Sequence, residues 1–129
     1  ERIRPALNAG RIVLCDRFAD STTAYQGAAR GLSMDVVRYL HNVATGGTWP
    51  DLTIVLDLPA EEGLRRAGAI GAPDRLEREP LEFHERVRQG FLEIAKNEPA
   101  RVKVVDATQP IESVAEQIAA LVDSLVARL

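Results

Sequence analysis

The chain has 129 residues, of which 46% are hydrophobic and 27% charged, and its formal net charge is −3 at pH 7. This length predicts a single domain, and the composition is typical of a globular protein. The negative charge argues against a general nucleic-acid partner, and no apolar run approaches the roughly 20 residues that cross a bilayer, which argues against a membrane partner. Cys15 is the single cysteine, so no internal disulfide can form, and we expect a cytoplasmic protein.

The chain begins with the predicted tail of a helix, residues 1–9, which ends at Gly10.

Three short segments rich in Val, Ile and Leu are predicted strands. The predicted strands are residues 12–15, 52–58 and 102–105, and an aspartate stands at the end of each. Cys15 lies in the first strand, where we expect a buried, inert thiol.

Amphipathic helices alternate with these strands. Ser33 is the predicted N-cap of a helix that Gly46 and Gly47 end. Pro59 and Pro80 open two further helices, and apolar residues between 114 and 125 recur at helical spacing in a last one. This alternation predicts an α/β fold, a parallel sheet with helices packed on it. Three strands are few for so many helices, so we expect residues 1–129 to be the carboxyl-terminal part of one larger domain.

An acid and a base stand directly after the first predicted strand. In open α/β sheets, ligands bind just outside the carboxyl ends of the strands. Arg17 is therefore placed where a guanidinium can hold a phosphate through two hydrogen bonds, and Asp16 where an acid can hold Mg²⁺. The alternative is an ion pair at a strand end that binds no ligand.

Polar and aromatic side chains crowd the segment that follows. Thr22 and Gln26 are four residues apart, so a helical turn places both on one face. A hydroxyl and a carboxamide together offer the donors and acceptors that suit the edge of a nucleobase. The alternative is the solvated start of a helix.

Four groups of residues, in order along the chain, resemble the motifs of bacterial thymidylate kinases. The first group is Asp16-Arg17-Phe18, Ser21-Thr22, Ala24-Tyr25-Gln26-Gly27 and Arg30-Gly31. The others are the strand Pro50-Asp51-Leu52-Thr53-Ile54-Val55-Leu56-Asp57, the lid residues Gly63-Leu64-Arg65-Arg66 with Asp74-Arg75-Leu76-Glu77, and the loop Val105-Asp106-Ala107. Each motif alone is weak, but the ordered set covers essentially the whole chain.

The resemblance implies a three-layer α/β/α fold like that of P-loop NTPases, of which this chain carries the last three strands. It implies transfer of the γ-phosphoryl group of ATP to dTMP with Mg²⁺, in a homodimer. Arg17 would hold the dTMP phosphate, and Asp16 would lie near the metal. Thr22 and Gln26 would read the thymine edge, while Tyr25 would pack under the deoxyribose and exclude a 2′-hydroxyl.

A lid over about residues 65–78 is also implied, with Arg66 and Arg75 as its catalytic candidates. Family members with a catalytic lid arginine often carry further arginines where this chain has Gly68 and Ile70, so the choice between the two stays open. The loop Asp106, Ala107 and Thr108 would lie on the adenine side of ATP.

The phosphate-binding motif G-x-x-x-x-G-K-[ST] does not occur in the sequence. We therefore expect the 129-residue polypeptide by itself to be inactive. Two alternatives remain beside a thymidylate kinase. One is a deoxynucleoside kinase, against which the run Ala24-Tyr25-Gln26-Gly27 argues, and the other is a truncated module that binds or dimerises without catalysis.

Overall fold

The computed structural model describes residues 2–28, 33–68 and 79–129 of the chain. Within these ranges the architecture is mixed α/β. The helices are α1 Ile3–Asn8, α2 Ala19–Thr22, α3 Met34–Thr45, α4 Ala60–Gly68, α5 Leu81–Asn97 and α6 Ile111–Val126, with a π-helical turn over Thr23–Ala28. The strands are β1 Thr53–Asp57 and β2 Val102–Asp106. None of the helices in the described ranges combines the length and apolar character that crossing a bilayer requires.

The two strands form the predicted parallel pair. Thr53 lies opposite Val102 at one end of the ladder, and Asp57 lies opposite Asp106 at the other. Because the strands are parallel, both aspartates stand at the same edge of the sheet, where ligands of α/β proteins bind. The predicted parallel α/β arrangement is therefore confirmed for the second and third apolar segments.

The prediction of a strand over residues 12–15 is wrong. These residues have no regular secondary structure, and the side chains of Ile12 and Leu14 are 70% and 92% exposed. Cys15 is exposed as well, so the expectation of a buried thiol is also wrong. A strand needs a neighbouring backbone to pair with. In the described part of the chain, β1 and β2 pair only with each other, and residues 12–15 have no strand partner.

The helix boundaries follow the local signals that predicted them. The Ser33 hydroxyl accepts a hydrogen bond from the amide of Val36 and caps α3. Gly46 ends this helix in the left-handed region, at a φ of +62°, where glycine has no steric penalty. Pro59 and Pro80 each directly precede a helix, α4 and α5.

The hydrophobic core lies between α5, the sheet and the π-helical turn. Its buried members are Ala24, Val55, Phe83, Val87, Ile94 and Val102, and the partly buried Tyr25, Phe91 and Ala95 pack against them. The apolar stripe of α5 provides one wall of this core, as its helical spacing predicts. The core therefore holds the π-helical turn, with Tyr25, directly against α5.

Glu98, the residue after α5, binds two arginines, the nearby Arg101 and the distant Arg38. Its carboxylate accepts hydrogen bonds from Arg38 at 2.7 Å and from Arg101 at 2.8 Å. These two guanidinium groups hold the pKa of Glu98 at about 2, below the ordinary value of 4.5. A carboxylate with a depressed pKa stabilises the folded state above its unfolded pKa, and this stabilisation disappears as the pH falls towards the folded value.

We therefore expect the free energy of unfolding to fall as the pH drops from about 4.5 towards about 2, with Glu98 contributing to the slope. The change Glu98→Gln removes the titrating group, so the variant loses stability at neutral pH and shows a flatter profile in this window. Urea unfolding at a series of pH values measures both effects. Glu112→Gln, an exposed change in the first turn of α6, is the matched control. Parallel profiles for wild type and Glu98→Gln would contradict the assignment.

Candidate functional site

A cleft of about 380 Å³ opens at the carboxyl end of β1. Arg17 and Tyr25 line one side of it. Asp57 and the first turns of α4 form a second wall, and α5 contributes the third with His84, Arg88 and Phe91 among its lining residues. The cleft lies at the sheet edge that the parallel topology predicts for ligand binding.

Tyr25 is held in the cleft by two aromatic contacts from α5. Its ring centroid lies 6.1 Å from that of Phe83, in a tilted arrangement, and 6.3 Å from that of Phe91, edge to face. Both geometries are favourable for aromatic pairs. Tyr25 belongs to the π-helical turn, a rare element that occurs often at functional sites. The ring is therefore a fixed wall of the cleft.

Arg17 projects beside this ring in an unusual backbone conformation. Its φ is +61°, a left-handed value that costs a non-glycine residue roughly 1–3 kcal/mol, and such strain is concentrated at functional sites. The guanidinium carbon lies 5.5 Å from the centroid of the Tyr25 ring. The side chain is exposed, and in the part of the chain that the structure describes no carboxylate pairs with it. Arg17 is thus an oriented cation that can accept an anionic ligand.

The second arginine of the cleft is already neutralised. Arg88 donates from Nε to Asp57 at 2.8 Å and from Nη2 at 3.4 Å, so the two groups form a two-pronged pair. The hydrogen bond to Asp57 raises the pKa of Arg88. The sequence identifies Asp57 only as a strand-end acid and does not predict its pairing with Arg88. One available signal was that Arg88 directly follows Val87, on the stripe that packs α5 against the sheet.

His84 was also missed. Its ring lies 5.6 Å from that of Phe83, nearly perpendicular to it, and its Nε2 is buried with no hydrogen-bond partner within the described residues. Buried polar atoms are normally paired, so this nitrogen is an exception behind the cleft wall. A single histidine on a helix face carries no sequence signal that distinguishes it from a surface residue.

Arg66 is in direct contact with the loop after β2. Arg66 Nη1 donates to the carbonyl of Ala107 at 3.1 Å, while its Nε donates to Glu62 at 2.9 Å. Hydrogen bonds from Arg65 and Arg66 hold the pKa of Glu62 at about 2. The carboxyl-terminal half of α4 is therefore bound to the edge of the sheet where β2 ends.

The loop after β2 is ordered by the carboxylate of Asp106. Thr108 donates to it from its amide at 2.9 Å and from its hydroxyl at 2.6 Å, and Gln109 donates at 3.2 Å. These bonds, the Thr108 hydroxyl foremost, lower the pKa of Asp106. The amide of Ala107 donates to the carbonyl of Asp57 at 2.8 Å and extends the ladder by one bond. The loop presents a fixed backbone surface beside Arg66.

Asp16 lies in a bend directly before Arg17, with an exposed side chain. Within the described ranges, no group of three or more His, Cys, Asp or Glu side chains forms a metal centre. Mg²⁺ usually binds one or two protein carboxylates and completes its shell with water and substrate phosphates. A single exposed carboxylate beside a candidate phosphate-binding arginine fits that pattern.

Three predicted site residues are only partly described or lie outside the described residues. Thr22 is the last residue of α2, and Gln26 lies within the π-helical turn, so the backbone positions of both are known. Arg75 lies outside the described residues, as do residues 69–78 of the predicted lid.

A parallel sheet with a cleft, an unpaired arginine and an aromatic wall at its strand ends is typical of nucleotide-binding α/β proteins. A sequence model of the family described as Thymidylate kinase matches residues 1–118. The chain belongs to the thymidylate kinase family, which has the P-loop NTPase fold.

Curated relatives are similar along nearly the whole chain. The thymidylate kinase of Thermomicrobium roseum is 54% identical over 129 residues, which cover 99% of this chain and 61% of the relative. That of Desulfovibrio desulfuricans is 49% identical and covers 99% of this chain and 62% of the relative. That of Deinococcus radiodurans is 53% identical, with 95% and 59% covered. The chain thus spans about three fifths of the length of these relatives.

Proposed function

We propose that the complete gene product that contains this chain is a thymidylate kinase, which transfers the γ-phosphoryl group of ATP to dTMP and releases dTDP and ADP. The relatives named thymidylate kinase support this proposal. The observation that carries it is the contact of the Arg17 guanidinium with the Tyr25 ring. Both residues belong to the first group of family motifs, and both line the cleft at the sheet edge. Phosphoryl transfer depends mainly on positioning and on stabilising charge, and both are tasks that an oriented arginine performs.

The acceptor side is assigned to the segment from Arg17 to Gln26. Arg17 holds the phosphate of dTMP, since it is the described cation of the cleft that has no carboxylate partner. Tyr25 forms the wall under the deoxyribose, held in place by Phe83 and Phe91. Thr22 and Gln26 read the edge of thymine.

The donor side is assigned to the lid and to the loop after β2. Asp106, Ala107 and Thr108 lie on the adenine side of ATP, and the contact of Arg66 with Ala107 supports this placement. Arg66 and Arg75 are the candidates for stabilising the transferred phosphoryl group. Asp16 would hold Mg²⁺, which would neutralise negative charge on the phosphates when bound. We place the reaction in the cytoplasm, with neither nucleic acid nor membrane as a partner.

Acceptor preference tests this function directly. We expect the complete gene product to use dTMP with a kcat/KM far above the values for dCMP, dGMP and UMP, because Thr22 and Gln26 match one base edge. A coupled ADP-release assay with each acceptor measures the ratios. Thymidine is included, because preference for the nucleoside over dTMP would indicate the deoxynucleoside kinase alternative. No turnover of any acceptor by the complete gene product would favour the non-enzymatic module.

Tyr25→Ala should weaken discrimination against a 2′-hydroxyl. Removing the ring opens space under the sugar, so kcat/KM for ribothymidine 5′-monophosphate rises relative to that for dTMP. Competition between the two nucleotides measures this ratio. Tyr25→Phe is the matched control, because it keeps the ring and loses only the hydroxyl, and its ratio should stay close to that of wild type. An unchanged ratio in Tyr25→Ala would remove Tyr25 from this role.

We also propose that two copies of the protein dimerise through α3. Apolar side chains at helical spacing are exposed along this helix: Val36 is 56% exposed, Leu40 59% and Val43 66%. An exposed apolar stripe of this kind is typical of an interaction surface. The change Leu40→Glu should therefore convert a dimer of the complete gene product into a monomer, as measured by light scattering after size exclusion. Glu116→Lys, an exposed change on α6, is the control, and an unaltered mass for Leu40→Glu would contradict the assignment.

A further inference from the structure

A buried carboxylate lies in the sequence between Arg17 and Tyr25, the two acceptor-side residues that line the cleft. Asp20, in the first turn of α2, is 4% exposed. Arg101 donates to its two oxygens at 2.8 and 2.9 Å, and the Thr53 hydroxyl donates to it at 2.9 Å. Asp20 is thus bound to the beginnings of both strands, because Thr53 opens β1 and Arg101 directly precedes β2.

Arg101 is itself held rigidly by further groups. It donates to Glu98 at 2.8 and 3.3 Å, and its guanidinium carbon lies 5.5 Å from the centroid of the Trp49 ring. The side chain of Arg101 is only 15% exposed. A two-pronged arginine–carboxylate pair fixes direction as well as distance. The residues at the beginnings of β1 and β2 therefore determine where Asp20 lies.

The segment that carries Asp20 also carries Tyr25 as one continuous helical body. The Thr23 hydroxyl donates to the carbonyl of Ala19 at 3.1 Å, across the junction between α2 and the π-helical turn. Arg17 lies three residues before Asp20, just outside this helical body, and its backbone is in the left-handed conformation. Its guanidinium group lies over the Tyr25 ring. A change in the position of Asp20 is therefore transmitted to both groups that face the cleft.

We propose that the ion pair of Asp20 with Arg101 positions Arg17 and Tyr25 for the acceptor nucleotide, so that Asp20 is a positioning residue of the acceptor site. This inference rests on the proposed function. A buried ion pair stabilises a fold only weakly, because the cost of desolvating the two charges offsets much of their attraction. Unlike an apolar pair of similar size, however, it fixes the direction in which its side chains point. The Asp20 carboxylate is bound by Arg101 and Thr53, neither of which lines the cleft, so Asp20 acts through the helical body.

The test uses Asp20→Asn in the complete gene product, with steady-state kinetics in both substrates. Asparagine keeps the shape of the side chain but loses the charge that orients Arg101. We expect KM for dTMP to rise at least about tenfold while KM for ATP changes less than about twofold, because only the acceptor wall moves. Arg101→Lys keeps a positive charge and loses the two-pronged geometry, so it should show the same split, and it serves as the readout where Asp20→Asn yields no folded protein.

Arg38→Gln is the matched control. It breaks the outer bond of the same network, to Glu98, without touching Asp20. We expect it to lower the melting temperature and to leave KM for dTMP within about twofold of wild type. A fall in melting temperature in Asp20→Asn and Arg101→Lys, with unchanged KM for dTMP, would show a merely structural pair and overturn the proposal.

A measurement without turnover separates this inference from the proposed function. Ring resonances of ¹³C-labelled tyrosine, with Tyr25 assigned by comparison with Tyr25→Phe, report its position between Phe83 and Phe91. Asp20→Asn should shift the Tyr25 resonance and Arg38→Gln should not, whether or not the wild type phosphorylates dTMP. An inactive wild type would refute the proposed kinase, whereas an unshifted Tyr25 resonance in Asp20→Asn would refute the positioning role.

Discussion

Replacing Arg17 by alanine in the complete gene product should lower kcat/KM for dTMP by about three orders of magnitude or more. Arg17 is exposed in the cleft, stacked on Tyr25 and unpaired within the described residues, so its charge is available to the acceptor phosphate. Its removal loses electrostatic stabilisation and the in-line placement of the phosphate at the same time. Initial rates at varied dTMP and saturating ATP measure the effect.

Arg17→Lys separates charge from geometry. A lysine retains the positive charge but cannot form two parallel hydrogen bonds to a phosphate, so it should recover only a small part of the lost activity. Arg128→Ala, which removes an exposed arginine after α6, should leave the kinetics unchanged and controls for general loss of charge. Near-normal activity of Arg17→Lys would refute the role of the guanidinium fork.

The 129-residue polypeptide by itself should release no ADP in response to dTMP. Its sequence contains no G-x-x-x-x-G-K-[ST] loop, and the backbone amides of such a loop are what hold the β- and γ-phosphates of ATP in P-loop kinases. The comparison uses the purified polypeptide and the complete gene product in the same coupled assay. ADP release that requires dTMP, from polypeptide of verified mass, would contradict this expectation.

The same polypeptide should also self-associate. Within the described residues β1 has a single strand partner, and apolar side chains are exposed near the start of the chain, with Ile12 70% and Leu14 92% accessible. Unpaired strand edges and exposed apolar runs favour association between chains. Light scattering at several concentrations measures it, and the double change Ile12→Lys with Leu14→Lys should reduce it. A concentration-independent monomer would contradict this second expectation.

The helices α3, α4, α5 and α6 could be predicted because their signals are local. A cap, a proline or a glycine lies within a few residues of most of their boundaries, and in α5 the apolar spacing also identifies the buried face, with Phe83, Val87 and Ile94. The two strands of the ladder were predicted for the same reason. Residues 12–15 show the limit of this reasoning, because an apolar run shows that a segment can form a strand but not that a neighbouring strand is present to pair with it.

The candidate site shows the same difference between what local sequence predicts and what depends on tertiary packing. The sequence by itself determined which residue types follow the strands, and from the ordered motifs it determined the family, which the family match over residues 1–118 confirms. The tertiary structure alone decided which of the charged groups are partnered. Asp57 is neutralised by Arg88, 31 positions away, and Asp20 by Arg101, 81 positions away, whereas Arg17 has no such partner in the described ranges. Ion pairing depends on distances of a few ångströms between side chains, and across such separations those distances are set by how the helices pack on the sheet.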